Sequence, residues 1–166
     1  AQVFHYEGTL KEYVGDELMA IFGAPVDQTD HARRVCHAAL AMRERLRQLR
    51  KRWSAEGRPA LRARTGMNSG PMVVGNIGSH KRTKYGVVGR QVNLTARIES
   101  YTVGGQIFIS ESTLQACGSL LRIDNRMEVE PKGVKEPITI YEVGGIGGEY
   151  DIFLPEKKPA ELRELP

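Results

Sequence analysis

An α+β fold with a largely antiparallel sheet is what this sequence predicts, and three observations predict it. Two β-type runs, Thr9–Val14 and 18–22, flank Gly15-Asp16-Glu17, which is the form of a tight hairpin. Ala32, Val35, Cys36, Ala39, Met42, Leu46, Leu49 and Trp53 keep helical spacing, with Arg and Gln between them. Further strands and helices alternate with hairpin turns, so the helices are expected mainly on one face of the sheet.

The elements follow in order. Gly23-Ala24-Pro25 closes the first hairpin, and Thr29 or Asp30 is positioned to cap the long helix, which runs to about Trp53. Residues 54–59, with Gly57 and Pro59, end it. An alternating strand is predicted over 61–68, and Ser69-Gly70-Pro71 turns it into a second extended run over 72–78. Residues 79–84 read as a polar loop and 85–88 as a short strand. Gly89 leads into a helix over about 91–100. A strand over 106–110, a short helix over Glu111–Cys117 and strands over 120–130 and 138–143 complete the pattern. The division expected is a domain over 1–143 and a tail or arm over 144–166, rich in Gly, Pro and charge.

With 166 residues the chain is long enough for one domain with a real core. No run of about 18 apolar residues occurs, so no membrane span is expected in this segment. No signal peptide opens it, and residues 1–5 read as the end of a helix, so the sequence is expected to begin inside a larger protein. Two cysteines, Cys36 and Cys117, do not make a disulfide framework; buried free thiols and a reducing, cytoplasmic setting are expected. The net charge of +4 is concentrated in residues 43–52, which read as a solvated helix face. That helix lacks interleaved aromatics, so no nucleic-acid partner is predicted.

Several side chains carry potential chemistry. Asp16 is either a turn residue or a metal carboxylate held out from a rigid sheet. Asn93 and Arg97 are four residues apart and share one helix face, either as a solvent pair or as part of a site whose helix N-terminus favours an anion. Lys132-Gly133 lies in a loop between strands. His5, His31, His37 and His80 show no ligand spacing, and Ser69 has no hydrolase elbow around it.

Together these stretches form an ordered set: Glu12, Gly15-Asp16, Phe22-Gly23, Gly66-Met67-Asn68-Ser69-Gly70, Gly75-Asn76-Ile77-Gly78, Tyr85-Gly86-Val87-Val88-Gly89, Asn93, Arg97 and Lys132-Gly133. The set resembles the catalytic domain of the class III nucleotidyl cyclases over about residues 3–143. The resemblance implies a ferredoxin-like, palm-type domain acting as a head-to-tail homodimer with two shared active sites. It implies two divalent cations, Mg2+ or Mn2+, bound by Asp16 and by a second Asp on a strand upstream of Ala1; that strand and its helix are absent from this chain. Arg97 then stabilises phosphate charge, Asn93 positions the ribose, and Lys132 grips the terminal phosphates, with Arg82, or less closely Lys81, as a further phosphate ligand. One protomer supplies Asp16 to a site and the other supplies Asn93, Arg97 and Lys132. Sensor domains are commonly fused to such domains and are expected in the full-length protein.

The resemblance also locates the base-reading positions at Glu12 and Gly86. A carboxylate accepts from both N1–H and N2–H2 of guanine, whereas it meets the bare N1 of adenine lone pair to lone pair. Gly86 leaves room for O6, and Lys84 either donates to O6 or orients Glu12. The expected substrate is therefore GTP, in the manner of a bacterial, cyanobacterial-type guanylyl cyclase. A one-residue register shift would instead present Lys11, which would read adenine and make an adenylyl cyclase. Two other readings are a diguanylate cyclase, whose hairpin motif Val14-Gly15-Asp16-Glu17-Leu18 matches poorly, and a non-catalytic, dimerising regulatory domain. Arg90 stands where many relatives carry Asp.

Overall fold

The computed structural model describes residues 1–148 and 151–156. In chain order the elements are α1 (Gln2–His5), β1 (Thr9–Val14), β2 (Glu17–Ile21), α2 (His31–Ala55), β3 (Thr65–Met67), β4 (Val73–Ser79), β5 (Arg82–Val88), α3 (Arg90–Ser100), β6 (Ile107–Ser110), α4 (Glu111–Cys117), β7 (Leu121–Val129), β8 (Ile138–Ile146) and β9 (Ile152–Phe153). β1 with β2 and β4 with β5 form two antiparallel hairpins. The remaining strands form one sheet in the order β3-β6-β8-β7, with β9 added to the end of β8. Among the described residues only β3 and β6 run parallel, because α3 crosses between them; the other pairs are antiparallel.

The helices cover both faces of this sheet, not mainly one as the alternation suggested. Ile107, Ile109, Tyr141 and Val143 pack with Ala32, Cys36, Ala39 and Leu40 of α2 and Cys117 of α4. Phe108 and Ile140 point the other way, against Ile98 and Leu94 of α3. The reason is legible in β6, where Ile-Phe-Ile runs without a polar break and all four residues are buried. Such a run marks a strand covered on both sides.

Three local boundaries and one helix cap also differ. The strand predicted over 61–68 shortens to Thr65–Met67, because Leu61 through Arg64 are exposed and find no ladder partner. β5 begins at Arg82, so the loop expected over 79–84 is only a tight tip. β8 continues past Val143 to Ile146, and Ile146 is fully buried, so residues 144–146 belong to the sheet. Of the segment from Gly144 onward, residues 149–150 and 157–166 lie outside the described residues. Asp30 is the N-cap of α2, but its carboxylate accepts from Arg34 Nε at 2.7 Å and does not cap the helix N–H groups.

Contacts from Gly66 and Asn68 set the position of α3, and one from Ser69 reaches α4. Gly66 lies so close to α3 that a Cβ there would meet the backbone N of Glu99 at 2.4 Å. Asn68 Nδ2 donates to the Gln91 carbonyl at 3.1 Å and to Gln91 Oε1 at 2.7 Å. Ser69 Oγ pairs with Thr113 Oγ1 at 2.9 Å, tying the same loop to α4. The Gly66–Gly70 stretch, which carried no assigned role in the sequence, is therefore the seat of the helix that holds Asn93 and Arg97.

Candidate active site

Glu12 is presented by an irregularity in β1. Leu10 pairs with Ala20 and Glu12 with Met19, which leaves Lys11 as the extra residue of a β-bulge. Lys11 Nζ donates to Glu12 Oε1 at 2.5 Å, and Lys84 Nζ reaches from β5 to Glu12 Oε2 at 3.0 Å. Hydrogen bonds from Lys11 and then Lys84, reinforced by their charges, hold Glu12 below the ordinary carboxylate range. Orienting Glu12 was one of the two roles expected of Lys84, and Glu12 is its observed partner. Gly86 is buried on β5 beside this group, with Lys11 Cε and Ile77 Cδ1 as the nearest atoms that a Cβ there would meet.

Asp16 stands exposed at the tip of the β1–β2 hairpin, where Gly15 adopts φ +62° to close the turn. Among the described residues its carboxylate has no hydrogen bond or ion pair, and no cluster of three His, Cys, Asp or Glu side chains is placed to hold a metal. An outward, unpaired carboxylate fits a hard divalent cation as one of several oxygen ligands.

Arg97 and Asn93 project from α3, Arg97 half-buried and Asn93 exposed. The turn between β7 and β8 brings Lys132-Gly133 to this helix: Gly133, at φ +82°, lies so close that a Cβ there would sit 3.7 Å from Arg97 Nη2. The structure thus joins Arg97 to the Lys132 loop, across 35 positions of sequence in which nothing local announces the contact. Arg82 and Lys81 stand exposed at the β4–β5 tip without an ion pair among the described residues. Arg90, at the start of α3, is likewise exposed, and nothing in the structure explains it.

Beside the hairpin, residues 19–23 of β2 and its exit face residues 66–70 at β3 across a cavity of about 340 Å³. Among the described residues β2 pairs only with β1 and β3 only with β6, so both edges bordering this cavity carry unpaired backbone groups. No helix of the described residues is long and apolar enough to cross a membrane.

A mixed α+β fold carrying an acidic hairpin, an Asn/Arg helix face and a Lys-Gly turn beside it defines a nucleotidyl cyclase domain. The chain belongs to the adenylate and guanylate cyclase catalytic domain family, which it matches over residues 5–145. Among solved structures it is similar to the guanylyl cyclase Cya2, at 47% identity and a TM-score of 0.88, covering 93% of this chain and 78% of that one. It is also similar to the adenylyl cyclase CyaB from P. aeruginosa, at 33% identity and a TM-score of 0.82, covering 90% of this chain and 77% of that one. Adenylate cyclase 1 of Rhizobium meliloti is 32% identical over 143 residues, which span 85% of this chain and 22% of that protein.

Proposed function

We propose that this domain is a guanylyl cyclase that converts GTP to 3′,5′-cyclic GMP and pyrophosphate at a homodimer interface. The observation that carries the reading is the Glu12 carboxylate, clamped by Lys11 and Lys84 beside the side-chain-free Gly86. In the reaction the ribose 3′-oxygen bonds to the α-phosphorus and the bond to the bridging oxygen of the β-phosphate breaks. The hydroxyl proton passes to solvent. Glu12 accepts from the guanine edge, Asn93 fixes the ribose, and Arg97 offers charge to the α-phosphate as negative charge grows there. Lys132, on the turn beside Arg97, holds the departing phosphates, with Arg82 as a further phosphate ligand. Two divalent cations, Mg2+ or Mn2+, would acidify the 3′-hydroxyl and neutralise the leaving group when bound.

Asp16 is one half of that cation site. We assign the other carboxylate to a strand preceding Ala1 that inserts between β2 and β3, where the cavity and the two unpaired edges would receive it. Dimer formation is supported by exposed apolar side chains on both hairpins: Tyr13 and Val14 on the first, Val73 and Val88 on the second. Asp16 of one protomer then meets Asn93, Arg97 and Lys132 of its partner. Sensor domains occupy part of the full-length chain in this reading, and the cytoplasm is the compartment that suits two buried thiols, Cys36 and Cys117.

One observation favours a second reading, an adenylyl cyclase. The bulge turns Lys11 toward Glu12 and Gly86, and an ammonium can donate to adenine N1. Turnover of GTP and ATP by the full-length dimer tests both. A higher kcat/KM with GTP is expected; a preference for ATP overturns the guanine assignment, and no turnover of either leaves a non-catalytic dimerising domain as the reading.

A further inference from the structure

Neighbouring residues of a regular strand point to opposite faces, so Lys11 and Glu12 would ordinarily diverge. The bulge removes that constraint. Both side chains turn to β5, their charged ends meet at 2.5 Å, and they are only 16% and 27% exposed. Lys11 also lies over Gly86: its Cε is 3.7 Å from where a Cβ on that glycine would stand. The space that a side chain at position 86 would fill is bordered by the Lys11 stem. Lys84 differs, because its side chain is 66% exposed and its ammonium takes the other oxygen of Glu12.

Recognising one purine edge needs a donor as well as an acceptor. Guanine presents O6, which accepts, beside N1–H and N2–H2, which donate. Glu12 accepts only, and Gly86 contributes no side chain. We infer that Lys11 is the second base-reading residue, its ammonium donating to guanine O6 while Glu12 accepts from N1–H and N2–H2, and that Lys84 positions Glu12 without touching the base. This rests on the guanine reading above. It reassigns the O6 donor from Lys84, on β5, to a residue adjacent to Glu12 on β1. It also accounts for why Gly86 suffices here: a larger side chain would compete with Lys11 for the same place.

On this inference the same pair admits adenine as a weaker ligand. Adenine N1 accepts and N6–H2 donates, so Lys11 and Glu12 can engage it in swapped order, whereas Glu12 alone would repel it. On this inference Lys11 sets both the strength of guanine binding and the tolerance of adenine.

The test compares kcat/KM for GTP and for 6-thio-GTP, whose sulfur is a poor acceptor, in the full-length protein and its Lys11→Met and Lys84→Met variants. The wild type is expected to favour GTP. Lys11→Met is expected to lose about ten- to a hundredfold with GTP, the scale of one charge-assisted hydrogen bond, and little with the thio analogue, so discrimination collapses. Lys84→Met is expected to weaken both nucleotides alike and keep the discrimination. Equal losses for the two nucleotides in Lys11→Met overturn the inference, as does a collapse in Lys84→Met instead. Lys11→Gln, whose shorter side chain falls short of O6, is the second variant if the methionine protein does not fold; unchanged discrimination there also overturns it. A wild type that uses ATP and not GTP sinks the guanine reading before any variant is compared, so the two failures are distinguishable.

Discussion

Replacing Gly66 with alanine puts a methyl group into the backbone of the helix that carries Asn93 and Arg97. The new Cβ would stand 2.4 Å from Glu99 N, 2.7 Å from its Cα and 2.8 Å from its Cβ. Two of these three atoms are main chain, so no rotamer change relieves them. To reach ordinary contact at 3.4 Å, α3 must withdraw from β3 by about 1 Å. Overpacking of this kind costs about 1–3 kcal/mol, and backbone against backbone belongs at the upper end. At about 3 kcal/mol the melting temperature of a domain this size falls by about 6–12 °C. The same shift moves Asn93 and Arg97 together, and a misplacement of about 1 Å at a catalytic group can cost roughly a hundredfold in rate. Thermal and urea denaturation read the first effect, and kcat/KM for nucleotide cyclisation reads the second. A Gly66→Ala protein that melts within about 2 °C of wild type would refute the reasoning, because the β3–α3 approach would then not be tight.

The remaining predictions concern the site. In the proposed guanine reading, Glu12→Lys replaces an acceptor with a donor opposite N1–H and N2–H2; GTP use is expected to fall by at least about a hundredfold, and unchanged GTP turnover would remove Glu12 from base recognition. Asp16→Asn and Arg97→Ala are each expected to be inactive alone and to complement when co-expressed: about half the dimers would be mixed and hold one intact site of two, restoring about a quarter of wild-type activity. No recovery in mixed dimers isolated by two tags would refute shared sites. The pH dependence follows from Glu12, whose folded pKa is depressed by Lys11 first and Lys84 second. A depressed carboxylate keeps its charge as pH falls through the ordinary carboxylate range and loses it only below, so guanine binding should persist there. Lys84→Met removes one of the two causes, and the acid limb of kcat/KM for GTP should move to higher pH; an unmoved limb counts against the Lys84 contact.

Much of this site was legible one stretch at a time. Gly15-Asp16 between two β-type runs specifies a hairpin with an exposed acid because few residues close that turn, and the structure has Gly15 at positive φ there. The helix after Gly89 and the shared face of Asn93 and Arg97 follow from local periodicity, which depends only on neighbours within a turn. The Ile-Phe-Ile run of β6 even announced a strand covered on both sides, although alternation of elements suggested otherwise.

The chain's own order of residues determined the element types, the acidic turn, the Asn/Arg helix face and the family, because each rests on short-range stereochemistry or on residues in sequence. Tertiary structure alone decided that Lys11 shares a face with Glu12, that Lys84 reaches across from β5, and that Lys132-Gly133 lies against Arg97. Those facts depend on how β1 slips against β2, how β5 lies beside them, and how tightly β3 seats α3. A bulge or a turn-to-helix contact is settled by packing between segments far apart in the chain, and no window of neighbouring residues contains that information.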